Sequence, residues 1–249
     1  MKILLLGGTA DARRLCDKLV THKIDVTYSL AGLVRTPDLA CEIIVGGFRK
    51  LGGLSHYLSL NQFDLMIDAT HPYAQKMSNQ AVLSATETGI DVWRFHRPAW
   101  VAKDKDQWLS YQNFDDLLTH LKAFRRPLLS AGQFSLTELS CLQNLDNLDL
   151  MVWRTAVAPK FSYDNLTKLQ WLKAIGPFLY EDEKILIQTQ DIDVIVSKNS
   201  GGRATSAKLQ VAQKLGLKVL MLERPILLAP NREFDSLDEC ADAIMQNGL

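Results

Sequence analysis

No two of the four cysteines, Cys16, Cys41, Cys141 and Cys240, stand in a CxxC pair. Neither a zinc knuckle nor a redox dithiol is indicated, and no metal site is expected. Cysteines this sparse, with no secretory leader ahead of them, suggest a reducing compartment, so the expected location is cytoplasmic. A surplus of charge is missing too: Lys plus Arg is 28, Asp plus Glu is 28, and the formal net charge is +0. A nucleic-acid protein usually carries a basic surplus, so no such partner is expected, although local basic pockets for a small anion stay open. No apolar run approaches the length needed to cross a bilayer. The opening run Lys2-Ile3-Leu4-Leu5-Leu6 turns at once at Gly7-Gly8 and reads as a buried strand rather than a signal segment. A complete G-x-G-x-x-G is absent, and G-x-x-x-x-G-K-[ST] fits nowhere in the most polar loop, which disfavours nucleotide hydrolysis.

What is present is an ordinary globular balance of 47% hydrophobic and 22% charged residues over 249 positions. That length suits one large domain or two smaller ones. Short apolar runs alternate with amphipathic segments almost to the end. Strands are expected at Ile3–Leu6, Asp25–Leu30, Glu42–Val45, Leu65–Asp68 and Asp91–Phe95, with helices at Ala10–Val20, Gly52–Leu60 and Ala74–Thr88. A second series has strands at Leu128–Ser130, Leu150–Arg154, Leu169–Ala174, Val194–Ser197 and Val219–Leu222. Its helices are Phe114–Lys122, Ser135–Leu142, Tyr180–Thr189, Ala204–Leu215 and Leu237–Met245. This alternation predicts α/β architecture with parallel sheets covered on both faces. The chain therefore divides into two α/β units in series, residues 1–102 and 103–249, with the ligand expected in a central cleft beyond the carboxyl ends of the strands.

Four stretches carry chemistry. Gly7-Gly8-Thr9 joins the first strand to the first helix, the geometry that offers backbone N–H groups and a helix N-terminus to a phosphate. A plain β-α turn is an even alternative. The second strand ends Tyr28-Ser29-Leu30 without the acid that grips a bare ribose, and Arg35 follows, which suits a 2′-phosphate; a surface arginine before Pro37 is the structural alternative. Asp68-Ala69-Thr70-His71-Pro72 places a polar cluster at a strand's carboxyl end. There His71 can supply a proton or orient a ligand, and Asp68 can instead cap the turn that follows it. Finally, Lys198-Asn199-Ser200-Gly201-Gly202-Arg203-Ala204-Thr205 combines glycines, hydroxyls and cations in one loop. It is an anion site on that reading, and a capped helix start with exposed basic residues on the other.

Together these stretches resemble the precorrin-6A reductase family of the corrin pathway, including its cobalt-precorrin-6A counterpart. The resemblance is collinear through Leu5-Leu6-Gly7-Gly8-Thr9, Ser29-Leu30-Ala31-Gly32, Val45-Gly46-Gly47-Phe48, Ile67-Asp68-Ala69-Thr70-His71-Pro72-Tyr73-Ala74 and Arg97-Pro98-Ala99-Trp100. It continues through Gly176-Pro177-Phe178, Ser197-Lys198-Asn199-Ser200-Gly201-Gly202 and Glu223-Arg224-Pro225. It implies two Rossmann-like three-layer domains and a reductase that takes hydride from a reduced nicotinamide cofactor to C19 of a tetrapyrrole, with a proton delivered at C18. NADPH is the expected cofactor. Where family members often continue Ala-Gly-Arg-Thr, this chain reads Ala31-Gly32-Leu33-Val34-Arg35-Thr36, which leaves NADH open. On this basis Gly7, Gly8, Thr9, Ser29, Arg35, Asp68 and Thr70 are assigned to the cofactor. Arg97, Ser200, Gly201, Gly202 and Thr205 are assigned to substrate carboxylates, and His71 and Lys198 are the catalytic candidates. The competing readings are a non-catalytic NADP(H)-binding regulatory module and a nucleotide-sugar transferase. No protein or membrane partner is implied.

Overall fold

A computed structural model describes residues 1–30, 32 and 37–247. Arg35 lies outside the described residues. The chain divides into two compact units, Met1–Pro98 with Pro225–Leu249, and Ala99–Arg224.

The first unit contains β1 (Lys2–Leu6), α1 (Ala10–Thr21), β2 (Asp25–Leu30), β3 (Glu42–Val45), α2 (Leu54–Asn61), β4 (Leu65–Asp68), α3 (Gln75–Thr88) and β5 (Asp91–Phe95). The second contains β6 (Gln107–Tyr111), α4 (Phe114–Leu121), β7 (Pro127–Leu129), α5 (Leu136–Gln143), β8 (Met151–Thr155), β9 (Leu169–Lys173), α6 (Tyr180–Thr189), β10 (Val194–Lys198), α7 (Ala207–Leu215) and β11 (Lys218–Leu222). The chain then returns to the first unit with β12 (Arg232–Phe234) and α8 (Leu237–Asn247).

The return corrects the division into 1–102 and 103–249. β12 pairs in parallel with β5, Arg232 opposite Trp93, and becomes the outer strand of the first sheet. α8 buries Cys240, Ala241 and Ile244 in the same core as Leu15 and Leu19 of α1. Reading elements in series cannot show this, because strand neighbours need not follow chain order. Two strands were also missed. β12 is three residues long, and β6 is an edge strand with little buried surface. The helix expected from Ala204 starts at Ala207, after a 3₁₀ turn at Arg203–Thr205.

The first sheet runs β12-β5-β4-β1-β2-β3 and the second β6-β11-β10-β7-β8-β9, with every pairing parallel. The two share one plan. Two strands step outward from a starting strand, β1 or β7, and the chain then crosses to that strand's other side with β4 or β10. Only the sixth strand is supplied differently, by the chain's return in one sheet and by β6 in the other. The reversal falls between β1 and β4 and between β7 and β10, where open α/β sheets keep their ligands.

Each sheet is a middle layer because its strands are apolar on both faces. In β1, Ile3 and Leu5 join the core under α1 and α8, while Leu4 and Leu6 join the core under α2 and α3. In the second unit, Leu129, Trp153 and Val196 face α4 and α5, and Leu128, Val152 and Ile195 face α6 and α7. This is the two-residue period of a strand applied twice, and it makes the carboxyl ends of β1 and β4, and of β7 and β10, rigid platforms.

Candidate functional site

At the first reversal point the glycine turn is held from below. Gly7 N–H donates to the Ser29 carbonyl at 2.8 Å, and Gly8 N–H donates to the Tyr28 hydroxyl at 2.9 Å. A Cβ on Gly7 would stand 2.2 Å from the Tyr28 ring, so the strand can pass the buried phenol only as glycine. We predict that Gly7→Ala lowers the unfolding free energy by about 1–3 kcal/mol through overpacking, measured as a shift of the urea midpoint. Burial raises the Tyr28 hydroxyl above its ordinary pKa, against the Gly8 N–H and Arg13, so it stays neutral as the acceptor of that bond. Gly8 has φ +105°, and among the described residues nothing lies within 4 Å of the place a Cβ would occupy. Its backbone is therefore bare on the outer side.

Thr9 then starts α1. Its Oγ1 accepts from Ala12 N–H at 3.0 Å and donates to the Ala69 carbonyl at 3.1 Å, which joins the β1 turn to the β4 turn. By helix geometry the Ala10 and Asp11 amides have no intrahelical acceptor, and they form the anion-facing end of α1. The Asp11 carboxylate also sits in this first turn. Arg14 binds one of its oxygens, and Arg97 Nη1 donates to the other at 2.5 Å. Burial alone would raise the Asp11 pKa. The hydrogen bonds and charges of the two arginines outweigh burial and hold it below 3.8. Two cations against one carboxylate leave this helix end net positive. Arg97, assigned from sequence to the substrate, thus belongs to the first unit's turn.

Asp68 ends β4 and is 1% exposed. It accepts from Arg94 Nε at 2.9 Å, from Thr70 Oγ1 at 2.7 Å and from Thr70 N–H at 3.2 Å. Its carboxylate is therefore directed inward, shaping the Thr70–His71 turn and anchoring β5. His71 Nδ1 accepts from Tyr73 N–H at 3.3 Å, which places the neutral ring's proton on Nε2.

The second reversal point is cationic. Lys198 ends β10, and the tight turn Lys198 O to Ser200 N–H, 2.8 Å, leads into Gly201 with φ +72°. The Lys198 ammonium lies 3.1 Å from where a Gly132 Cβ would project, so the glycine after β7 leaves the space that the lysine fills. Burial pushes the Lys198 pKa below its ordinary value. Beneath the loop, Lys208 donates to the Thr205 carbonyl at 3.2 Å and faces the Trp100 ring at 5.7 Å. Nearby, Arg154 pairs with Glu183, both almost fully buried, and its guanidinium lies over the Phe178 ring at 4.2 Å.

Burial first, then repulsion from Arg154, pushes the Lys208 pKa down to about 8 from 10.5, with Glu183 opposing. Between these values the unfolded chain binds more protons than the folded one, so this residue's contribution to stability rises with pH from about 8 to 10.5. We predict that the melting temperature of wild type relative to Lys208→Met climbs across that window and is flat below it.

The structure thus places Gly7, Gly8, Thr9, Ser29, Asp68, Thr70, His71 and Arg97 at strand ends and turns of the first unit, and Lys198, Ser200, Gly201, Gly202 and Thr205 at the end of β10 and in the loop after it in the second. Sequence reasoning missed Tyr28, Asp11, Arg94, Arg154 and Glu183. Of these only Asp11 carried a local signal, an acid in the first turn of a helix that follows a glycine turn. No group of His, Cys, Asp and Glu suited to a metal ion occurs among the described residues, and no described helix is long and apolar enough to cross a membrane.

Known proteins match this chain over nearly its whole length. The family model described as precorrin-6x reductase CbiJ/CobK matches residues 2–245. A precorrin-6A reductase of Rhodococcus erythropolis is 35% identical over 246 residues, covering 98% of this chain and 96% of the relative. One from a Sinorhizobium species is 34% identical over 239 residues, covering 90% and 85%. A solved structure of the CobK precorrin-6A reductase superposes with a TM-score of 0.87 at 28% identity, covering 100% of this chain and 98% of that one. The chain belongs to the precorrin-6x reductase CbiJ/CobK family and is an oxidoreductase.

Proposed function

We propose that this chain reduces precorrin-6A, or its cobalt form, in cobalamin biosynthesis, with NADPH as the preferred reductant. The observation that supports this most is the pairing of unlike reversal points in one chain. One offers a bare glycine backbone and a helix end, and the other a cationic, hydroxyl-rich loop.

The dinucleotide fits the first. The open side of Gly8 leaves room for a pyrophosphate against the backbone, and the Ala10 and Asp11 amides, with Arg14 and Arg97 neutralising Asp11, suit its charge. The carboxyl end of β2 carries Ser29 and Leu30 and no acid, so no carboxylate opposes a 2′-phosphate there. Reduced nicotinamide, when bound, supplies the hydride that C19 receives.

This chain's own residues bind, orient and hold a proton. Asp68 fixes the Thr70 hydroxyl and the turn that carries His71. Lys198 and the Ser200–Thr205 loop meet substrate carboxylates by charge-assisted hydrogen bonds. The proton destined for C18 comes from His71 at Nε2, from Lys198 at Nζ or from water. A titration followed by tryptophan fluorescence and calorimetry tests the cofactor assignment. We expect saturable binding, tighter for NADPH than for NADH. Equal affinities would remove the 2′-phosphate contact, and no binding of either would overturn the assignment.

A further inference from the structure

We propose that Asn199 is a positioning residue that ties both ends of the second unit's chain to the loop carrying Lys198 and Ser200. Asn199 sits at the apex of the tight turn closed by Ser200 N–H and the Lys198 carbonyl. Its Oδ1 accepts from Trp100 N–H at 2.7 Å, and its Nδ2 donates to the Trp100 carbonyl at 3.0 Å. The side chain thus pairs with one residue's backbone as a neighbouring strand would. Its own carbonyl accepts from Arg224 Nε at 2.8 Å.

Trp100 and Arg224 are not arbitrary partners. The second unit runs Ala99–Arg224, so they stand at its two ends, where the chain enters and leaves. Pro98 and Pro225 follow immediately outside. One residue therefore gathers segments 99 and 25 positions away in sequence. The far side of the loop reaches the same tryptophan, because Lys208 holds the Thr205 carbonyl and faces the Trp100 ring. Trp100 is thereby braced from both ends of the Asn199–Thr205 segment.

The chemistry demands an asparagine. Both bonds to Trp100 need a donor and an acceptor on one short planar group. Aspartate keeps the acceptor, loses the donor and turns an anionic oxygen toward the Trp100 carbonyl. The competing explanation is that Asn199 merely satisfies the backbone of Trp100, with no bearing on the loop.

The test uses the full chain with Asn199→Ala, Asn199→Asp, Arg224→Met and the Asn199→Ala/Arg224→Met double variant. Hydrogen exchange is measured without ligand on peptides covering 97–102, 198–203 and 222–226. Steady-state reduction of precorrin-6A and NADPH affinity are measured beside it. We expect Asn199→Ala to speed exchange in all three segments together while residues 194–197 stay protected. We expect kcat/KM for precorrin-6A to fall about 10- to 100-fold, with NADPH affinity unchanged. Asn199→Asp should move every readout in the same direction, and it decides the matter if the alanine variant fails to fold. The double variant should cost no more than the larger single one, since both act through one junction.

Faster exchange confined to 97–102 with unaltered kinetics, or full additivity in the double variant, would overturn the proposal. Only the kinetic arm rests on the precorrin-6A reading. If wild type reduced no precorrin-6A, that reading would fall, and the exchange arm would still decide the role of Asn199.

Discussion

Arg94→Met is expected to lower the free energy of unfolding by about 3–5 kcal/mol. The reason is the position of the pair it breaks. Asp68 and Arg94 face each other across neighbouring strands β4 and β5, with side chains 1% and 3% exposed. Arg94 also donates to the Leu228 carbonyl at 3.0 Å and to Glu233 at 3.4 Å, so it fastens the returning segment to the first sheet. Methionine fills a similar volume but leaves the Asp68 carboxylate buried with Thr70 as its remaining partner. The network is already imperfect, since Arg94 Nη2 is buried without an acceptor among the described residues. Removing both charges together should therefore cost much less than removing Arg94 alone. Urea unfolding of Arg94→Met and of Asp68→Leu/Arg94→Met measures both values. A loss below about 1 kcal/mol for the single variant would mean that the Asp68–Arg94 pair does not hold the first sheet together.

The second large effect is on turnover. Lys198→Met is expected to reduce kcat/KM for precorrin-6A about a hundredfold, the loss of one desolvated charge-assisted contact, while NADPH affinity is unchanged. Lys198→Arg should restore little. The ammonium already lies 3.1 Å from the Cβ position of Gly132, and a guanidinium is broader. Gly132→Ala should reproduce part of the defect, because a Cβ there presses on the ammonium and φ of +100° strains any side chain. The pH profile carries the sign. The ammonium is present below its folded pKa and lost above it, and burial moves that pKa down. The alkaline limb of kcat/KM should lie below the ordinary lysine value of 10.5 and disappear in Lys198→Met. An unchanged kcat/KM in Lys198→Met would remove the carboxylate contact.

Much of the fold was legible because parallel strands buried on both faces read as short unbroken apolar runs. β2, β3, β4 and β5 have the expected limits, and α6 does too. The edges were not legible. Gln107–Tyr111 and Arg232–Phe234 are short outer strands with little buried surface, and the tail's return to the first unit leaves no local trace.

The site divides in the same way. The Gly7-Gly8-Thr9 and Lys198–Thr205 stretches announce themselves by composition. Their supports do not, because each comes from a distant part of the chain. Tyr28 reaches Gly8 from the adjacent strand, Arg94 reaches Asp68 from 26 residues on, and Gly132 makes room for Lys198 across a strand pair. Arg97 shows the limit most clearly. The resemblance assigns it to the substrate, and its Nη1 reaches Asp11, a partner 86 residues away that no local pattern marks.

The most direct test of the account is a single-turnover experiment with purified protein, NADPH and precorrin-6A under anaerobic conditions. The loss of reduced nicotinamide absorbance is followed against formation of the dihydro macrocycle. The account predicts one NADPH consumed per macrocycle reduced, with hydride from deuterated nicotinamide appearing at C19. NADPH binding with no reduction of precorrin-6A or its cobalt form would contradict it and leave a binding module in place of a reductase.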